Sequence, residues 1–496
     1  MVDGQNVLPR NGVLIVRPGM ARLTSSAPSA NRVLGGIYYS DNTQTARNVA
    51  GTSASLHSFD GSSWGDITGS TTPNGSNTNL WRFSAFPFST TTRLIAVNDQ
   101  CAPQVWTGTG NFADLGGSPP IAKTVATTFQ RVILGNVTIG GTRRGSSLWV
   151  SGFQDPTSWP AVNQADLPDT GDVIVEIQAL NTQAFAIYKE NSQWIGIGAA
   201  NIFPFVYELR GQQPGPISPA VVVRVEDTHY YVGLDGNIYR FDGNQVQAIG
   251  SHIRSLLYND IDWANRGQAH GFYDAINREI WWFWPSYKRT SPTTNGIVYR
   301  IPYADVPGAF SPLMQYGVTV TASWPWFDNA ATTWNDLSSY TWNDALFADT
   351  YPTWDSFPNN SQLSILAGAS DGVVYRFGRP GGDDGNAIDA IWELPMRAAT
   401  GDGFIAQLDV IESFFKNVVT STNVSVIAVT SDTLGDSGTQ ASAQTVNLNS
   451  SGTKLWASYE NTTGRYVGVR YRISSASALN EYRGGVVYAY RRQEGV

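Results

Sequence analysis

A chain of 496 residues exceeds the roughly 250–300 residues that one hydrophobic core usually organises, so several domains or a repeated architecture are expected. With 49 Gly, 25 Pro, 17 Trp, 22 Tyr and 21 Phe but only 15% charged residues, the composition favours strands and turns over long amphipathic helices, and it predicts an all-β protein. The net charge of −8 argues against a protein that grips nucleic-acid phosphates, although a wall past which DNA slides remains compatible with it.

The N-terminal residues and the cysteine content give information on the cellular compartment of the protein. The chain begins Met1-Val2-Asp3-Gly4 without a basic region and an apolar run after it, so the sequence predicts no signal peptide. No stretch is long and apolar enough for a membrane span. Cys101 is the single cysteine, which excludes an intrachain disulfide and a cysteine-based zinc site.

Strand-sized runs broken by turn residues every 8–12 positions extend from about Arg32 to about Gly378. Within this region a short phrase recurs, in which a turn precedes or follows a strand of alternating apolar residues. The copies are 234–243, 370–378, 295–300, 56–61 and 105–108. A spacing of about 40–60 residues fits one four-stranded propeller blade, so we expect a β-propeller of about six or seven irregular blades over residues 32–380. Two successive β-sandwiches are the alternative.

A Trp-rich stretch near 332–357 interrupts this pattern. Trp334, Trp342 and Trp354 are each followed by Asn or Asp, in a segment rich in Ser and Thr. Large rings and turn-capping side chains indicate an ordered loop that contacts another subunit or stacks on a ligand. A role in closing the propeller core is an equally good interpretation. If the segment lies on a neighbouring subunit, deleting it should leave a folded monomer.

The two ends of the chain are expected to be separate from the propeller. Residues 1–31 are predicted to form an N-terminal strand or arm. A Gly/Asp-rich linker at 381–385 precedes residues 386–496, where strand patterns at 424–429, 466–472 and 484–490 predict a β-sandwich-like domain.

Motifs that carry catalytic chemistry are missing. The four histidines, His57, His229, His252 and His270, have no metal-ligand spacing, and neither G-x-S-x-G nor H-E-x-x-H occurs. Arg143-Arg144 is interpreted as a solvated hairpin loop. The acids lie mostly in Asp-Gly or Asn-Asp turns, where calcium binding would lack a recognised spacing. We therefore predict a protein that is not an enzyme and needs no cofactor or metal; a glycosidase with two converging carboxylates is the enzymatic alternative.

Three phrases, in order along the chain, resemble the tail nozzle or packaged-DNA stabilisation proteins of short-tailed, podovirus-like bacteriophages. The first is 11–23, with its Arg17-Pro18-Gly19 turn. The second is 148–159, in which a strand is followed by Asp155-Pro156 and Trp159. The third is 273–285, rich in Trp, which the Trp-Asn-Asp repeats follow.

The resemblance implies a structural virion protein that is assembled in the host cytoplasm and located in the virion tail. It implies a homohexameric ring below the portal and the tail adaptor, with tail fibres carried or adjacent. The ring would extend the conduit, retain packaged double-stranded DNA and guide its ejection without reading its sequence. Because the chain is acidic, the DNA-facing wall is expected to be acidic as well. The alternative function is a carbohydrate- or receptor-binding β-propeller, in which the three Trp side chains stack on sugar rings.

Overall fold

The computed structural model describes most of the chain, with gaps in several loops. The described residues are 3–10, 13–40, 45–88, 91–199, 204–301, 310–328, 362–379, 382–398, 405–416, 422–433, 437–448, 454–459, 462–475 and 481–491. Nearly all regular structure in them is strand, which confirms the predicted all-β class. The one α-helix of this part is a single short turn, α1 (Arg254–Tyr258), accompanied by four 3₁₀ turns at Ala161–Asn163, Pro168–Thr170, Pro219–Val221 and Arg266–Gln268.

Four short strands open the chain, before the repeated sheets begin. They are β1 (Asp3–Gln5), β2 (Val7–Arg10), β3 (Val13–Val16) and β4 (Gly19–Arg22).

The described residues then form seven four-stranded antiparallel sheets in succession. The first four sheets are β5 (Val33–Ser40), β6 (Ala46–Thr52), β7 (Leu56–Phe59), β8 (Trp64–Asp66); β9 (Arg82–Phe88), β10 (Thr91–Val97), β11 (Gln104–Trp106), β12 (Ala113–Asp114); β13 (Ile121–Thr128), β14 (Arg131–Ile139), β15 (Thr142–Val150), β16 (Gln164–Asp166); and β17 (Ile174–Ala179), β18 (Ala184–Lys189), β19 (Gln193–Gly198), β20 (Phe205–Gly211). The last three are β21 (Val223–Val225), β22 (Thr228–Val232), β23 (Ile238–Phe241), β24 (Val246–Ala248); β25 (His270–Asp274), β26 (Glu279–Pro285), β27 (Thr294–Arg300), β28 (Met314–Gln315); and β29 (Val320–Asp328), β30 (Gln362–Ala369), β31 (Val374–Arg379), with β4 as the fourth strand.

The first strands of these sheets lie side by side in a closed circle. Each first strand contacts the next one: β5 contacts β9, β9 contacts β13, and β13 contacts β17. In the same way β21 contacts β25, and β25 contacts β29. The 3₁₀ turn at Pro219–Val221 contacts both β17 and β25. The circle closes where β29 contacts β5, and there Thr321 Oγ1 donates to the Val33 carbonyl at 2.6 Å. Seven four-stranded sheets around one axis make a seven-bladed β-propeller, which confirms the predicted architecture.

The short phrase that recurs along the sequence lies at the same position in each blade that contains it. Its five copies coincide with β7, β11, β23, β27 and β31, each of them the third strand of its sheet. The glycines in these turns adopt a left-handed backbone, with φ of +77° at Gly236 and +81° at Gly372, as a tight connection to the strand requires.

Two six-stranded sheets form a second structure, a β-sandwich. Its C-terminal strands are β32 (Ile388–Ala398), β33 (Ala406–Lys416), β34 (Thr422–Ser431), β35 (Thr439–Gln440), β36 (Gln444–Leu448), β37 (Lys454–Ser458), β38 (Thr463–Gly464), β39 (Tyr466–Ser475) and β40 (Glu481–Arg491). One sheet has the order β1-β32-β39-β34-β35 with β36 on β34, and the other has β2-β3-β40-β33-β37 with β38 on β33. The predicted C-terminal sandwich is therefore present, and strands from the first sixteen residues complete both of its sheets.

The sandwich core is aromatic. The Trp392 ring stacks on Tyr471 with centroids 5.1 Å apart, and both rings contact Tyr482 from the opposite sheet. By compactness the chain divides into two units, one comprising Met1–Arg22, Arg289–Thr319 and Arg376–Val496, the other comprising Leu23–Lys288 and Val320–Tyr375.

Candidate functional site

A cleft of about 1070 Å³ lies where three neighbouring first strands of the propeller end. The strands β9, β13 and β17 run in the same direction, and their last residues, Phe88, Thr128 and Ala179, reach the cleft together. Loops that follow these strands complete its walls. Concave sites of this size with mostly apolar walls and a few polar groups are the usual places where proteins bind ligands.

The turn between β13 and β14 forms one wall and has an unusual conformation. Phe129 and Gln130 connect the two strands as a two-residue hairpin, with φ of +50° and +53°. A hairpin of this type normally has Asn-Gly, because side chains other than Asn and Gly are strained at positive φ. Gln154, on a facing loop of the same cleft, also has a positive φ of 56°.

Hydrogen bonds hold this turn against its neighbours. Phe129 N donates to the Thr182 carbonyl at 3.0 Å, and Thr128 Oγ1 donates to the Asn181 carbonyl at 2.7 Å. On the other side, Gln154 N donates to the Gln130 carbonyl at 2.9 Å. The strained turn is thus fixed from two sides, so the rings and amides of the cleft are positioned before any ligand arrives.

Replacing Phe129-Gln130 by Asn-Gly tests this description of the turn. We expect the free energy of unfolding to rise by about 1 kcal/mol, since two strained left-handed residues are relieved. Urea denaturation of the variant beside the wild-type protein measures the change. A loss of stability would show that the Phe129 ring contributes more to packing than its backbone costs.

Four phenylalanines line the cleft, and three of them, Phe88, Phe129 and Phe153, are not fully buried. Phe153 is 52% exposed, although large apolar side chains are usually covered, and its ring lies 6.3 Å from the Phe129 ring in an edge-on arrangement. The Arg93 guanidinium stacks 3.8 Å from the centroid of the Phe88 ring. Phe153 offers an exposed apolar face to a ligand, whereas Phe88 and Phe129 are partly buried and pack against the neighbouring blade cores.

The polar side chains of the cleft carry hydroxyl, amide and guanidinium groups. No carboxylate occurs among its lining residues, in the part of the chain that the structure describes, whereas Arg131 and Arg224 both line it. Arg131 Nη1 donates to the Ser151 carbonyl at 2.7 Å, and Arg224 Nε donates to the Glu226 carbonyl at 2.7 Å. In the described part of the chain, Arg131 Nη2 and Arg224 Nη1 have no hydrogen-bond partner, whereas Arg131 Nε is buried and Arg224 Nη2 lies 3.8 Å from Asp227 Oδ1. A locally cationic cleft on a chain with a net charge of −8 favours an anionic ligand.

A second cavity, of about 470 Å³, lies along the inner strands of the propeller. Arg82 lines it and donates through Nη2 to Glu176 Oε1 at 2.8 Å. Glu176 is 1% exposed, and burial raises its pKa while the Arg82 guanidinium opposes that shift. The pair joins the second and fourth sheets across the third. We interpret it as a structural contact, because no further acid or base of the described residues approaches Glu176 within hydrogen-bonding distance.

The histidines are structural in the positions that the structure gives them. His229 is fully buried; its Nε2 donates to the Ala179 carbonyl at 3.1 Å, so Nδ1 accepts from the Tyr188 hydroxyl at 2.8 Å. His270 is 2% exposed and stacks on Phe283. Burial lowers the pKa of His229 to about 3 and that of His270 to about 4. His57 is also buried, whereas His252 is exposed.

These two buried histidines predict an acid-sensitive fold. The unfolded chain takes up their protons near pH 6.5, but the folded chain does not, so stability is present above that pH and is lost as pH falls towards 4. From both together, we expect the protein to be about 3–4 kcal/mol less stable at pH 5 than at pH 7. Urea denaturation at both pH values measures this difference. His229→Gln should reduce it by about half, and His252→Gln should leave it unchanged; an equal effect of the two substitutions would contradict the assignment.

Two groups of residues named from the sequence are the tryptophans of the insertion and Arg143-Arg144. Trp334, Trp342 and Trp354, with the whole insertion near 332–357, lie outside the described residues, so their predicted role stays a prediction. Arg143 forms an ion pair with Asp99. None of the cleft residues was predicted as a site residue, although Phe153 and Gln154 lie within the phrase 148–159. A signal did exist in Phe129-Gln130, a two-residue connection between two strong strand patterns without the Asn or Gly that such a turn normally needs.

Among the described residues, no three His, Cys, Asp or Glu side chains are grouped as metal ligands. No helix in that same part of the chain has the length and apolar character to cross a membrane.

Comparison with known proteins gives fold-level likeness only. No family model matches the sequence, and no curated protein matches it. Solved structures that match include the computationally designed Ika8 protein (11% identity, TM-score 0.38, 72% of this chain and 99% of that chain), BamB from Moraxella catarrhalis (10%, 0.37, 75% and 92%) and the Pan2 WD40 domain from Neurospora crassa (10%, 0.39, 73% and 96%). At these identities and TM-scores the matches assign neither a family nor a function to the chain.

Proposed function

We propose that the chain is a structural virion protein, the tail nozzle of a short-tailed bacteriophage. In this role a homohexameric ring, bound below the portal and the tail adaptor, forms the distal DNA conduit, retains the packaged genome and guides its ejection. The observation that carries the proposal is the ordered set of three sequence phrases spanning residues 11 to 285, each resembling the same family of tail proteins.

The position of each phrase in the fold supports the proposal. The first phrase supplies β3, β4 and the buried Arg17 between them. The second ends in a tight turn in which Asp155 Oδ1 accepts from Thr157 N at 2.9 Å, and the third spans the hairpin of β25 and β26. The first and third phrases therefore fall on strands and the turns beside them, whereas the second also includes Phe153 and Gln154 of the cleft.

A measurement of mass and shape tests the proposal. We expect the purified protein to form a ring, or to remain monomeric until it is mixed with its cognate portal–adaptor complex and then to assemble on it. Light scattering and negative-stain imaging distinguish these states. A monomer that does not bind the portal–adaptor complex at micromolar concentrations would contradict the proposal.

The second candidate function is a carbohydrate- or receptor-binding β-propeller. The cleft bordered by Phe129 and Phe153 favours it, because a conduit wall does not need a cationic pocket lined with exposed aromatic rings. Binding of bacterial glycans by a protein that stays monomeric beside the adaptor would favour this function over the nozzle.

A further inference from the structure

We propose that the cleft bordered by Phe88, Phe129 and Phe153 binds an acidic oligosaccharide, a chain of sugar units that carry carboxylate groups. The inference depends on the cleft alone and holds whether or not the chain forms a nozzle. In a virion protein, such a site would attach the particle to an acidic polysaccharide at the surface of its host.

The aromatic rings are suited to the apolar faces of sugar rings. Aromatic faces carry negative partial charge, and the axial C–H groups of a pyranose ring carry positive partial charge, so the two stack favourably. Phe153 is 52% exposed and Phe129 lies beside it with a ring separation of 6.3 Å. The two rings are roughly perpendicular, with an interplanar angle of 61°, so they can contact two successive sugar units of a bent chain.

The amides are suited to sugar hydroxyl groups. Asn181 Oδ1 already accepts from Gln183 N and Ala184 N, at 3.0 and 2.9 Å, which leaves its Nδ2 as a donor to a ligand. The side chain of Gln183 has no hydrogen-bond partner within the described part of the chain, and it lines the cleft as a paired donor and acceptor. Vicinal hydroxyl groups offer the complementary pair.

The guanidinium groups select for negative charge. Arg131 has no carboxylate partner among the described residues, and its guanidinium lies 5.6 Å from the centroid of the Phe153 ring. Arg224 is 39% exposed, and its distant partner Asp227, at 3.8 Å, is 74% exposed, so solvent screens that pair. A planar guanidinium binds a carboxylate through two parallel hydrogen bonds, which places the charged substituent of the sugar at the arginine and the ring on the phenylalanine.

A nucleic acid fits the same groups less well. A groove for single-stranded nucleic acid needs a run of cations that follows the phosphates, together with stacking rings. Here two arginines line the cleft, in a chain whose net charge is −8. Two carboxylates on a sugar chain, each bound by one arginine, match this small number of cations better.

Binding of the full-length protein to an array of oligosaccharides tests the proposal. The array includes uronic-acid, sialylated and neutral members such as tetragalacturonate and maltotetraose, with an oligothymidylate as the nucleic-acid probe. We expect binding to acidic members at least about tenfold tighter than to neutral ones of equal length. No binding to any acidic member, or tighter binding of the oligothymidylate, would overturn the proposal.

Variants then assign the interaction to the cleft. For the strongest acidic member, isothermal titration calorimetry should show about tenfold weaker binding on Phe153→Ala, since an exposed stacking ring is removed without a loss of core. Arg224→Gln and Arg131→Gln should each reduce the preference for acidic over neutral sugars. Tyr287→Ala, which removes a ring that is 61% exposed and lies outside the cleft, is the matched control and should bind like the wild-type protein. Unchanged binding by all three cleft variants would place the sugar site elsewhere and contradict the proposal. Assembly of these variants on the portal–adaptor complex should be unaffected, because it does not depend on the cleft.

Discussion

Arg17→Met should destabilise the sandwich-containing unit by about 3–5 kcal/mol. Arg17 is 1% exposed, and its guanidinium donates to both carboxylate oxygens of Asp383, at 2.9 and 2.5 Å. It also donates to the carbonyls of Pro18 and Gln315 and to Asn6 Oδ1, and it stacks 4.3 Å from the centroid of the Tyr316 ring. Methionine fills most of the volume of the Arg17 side chain, but it leaves the Asp383 carboxylate buried without its counterion.

Two further variants separate this explanation from a loss of packing. Asp383→Leu combined with Arg17→Met should be less destabilised than Arg17→Met alone, because the combination leaves no orphaned charge. Arg472→Met is the matched control: Arg472 also pairs with both oxygens of an aspartate, Asp389, but the pair is exposed. Its removal should change stability by no more than about 1 kcal/mol in urea denaturation. Equal effects of the two arginine substitutions would contradict the assigned role of Arg17.

Trp324→Ala should destabilise the propeller by about 3–5 kcal/mol. Trp324 is 2% exposed on β29, next to the point where the circle of blades closes, and its Nε1 donates to Asn48 Oδ1 of the first blade at 2.7 Å. Its ring packs so closely on Gly36 that a Cβ atom there would lie 2.4 Å from the ring. The substitution therefore creates a cavity at the seam and leaves a buried amide without its donor.

Gly36→Ala provides an independent measurement of the same contact. It should also destabilise the propeller, since either the ring or the strand must move. Tyr287→Ala removes a 61% exposed ring and should change the free energy of unfolding by less than about 0.5 kcal/mol. A Trp324→Ala variant as stable as this control would show that the seam between the last and first blades does not limit stability.

Local sequence signals predicted the blades well. An Asp-Gly turn beside alternating apolar residues depends only on residues close in sequence. The third strands β7, β23 and β31 can therefore be predicted from short stretches of the sequence. The strands β34, β39 and β40 of the sandwich were recognised for the same reason.

Pairing between distant parts of the chain was not predictable in this way. Residues 1–31 were predicted to form an N-terminal strand or arm, without a partner for it. Gly4 pairs with Trp392 in one sandwich sheet, and a short stretch of sequence does not identify a strand partner that lies so far along the chain. Asp383 lies in the stretch predicted as a linker, yet it is 2% exposed because Arg17 neutralises it from 366 positions away.

The cleft could not be predicted for a related reason. Its rings and arginines come from several loops that meet only when the first strands β9, β13 and β17 stand side by side. Phe153 and Arg224, taken singly, carry no motif. The Phe129-Gln130 turn is a local irregularity that the sequence does show, because a two-residue connection between strands normally contains Asn or Gly. Its place in the cleft follows only from the hydrogen bonds that fix it.

The proposed place in the virion is tested most directly by locating the chain on intact particles. Purified virions labelled with gold-conjugated antibodies against this protein, or imaged by cryo-electron microscopy with the chain fitted to the tail, give the measurement. The proposed role predicts a ring of copies at the distal end of the short tail, on the axis of the DNA conduit. Label confined to lateral fibres, or a protein missing from purified virions, would contradict it.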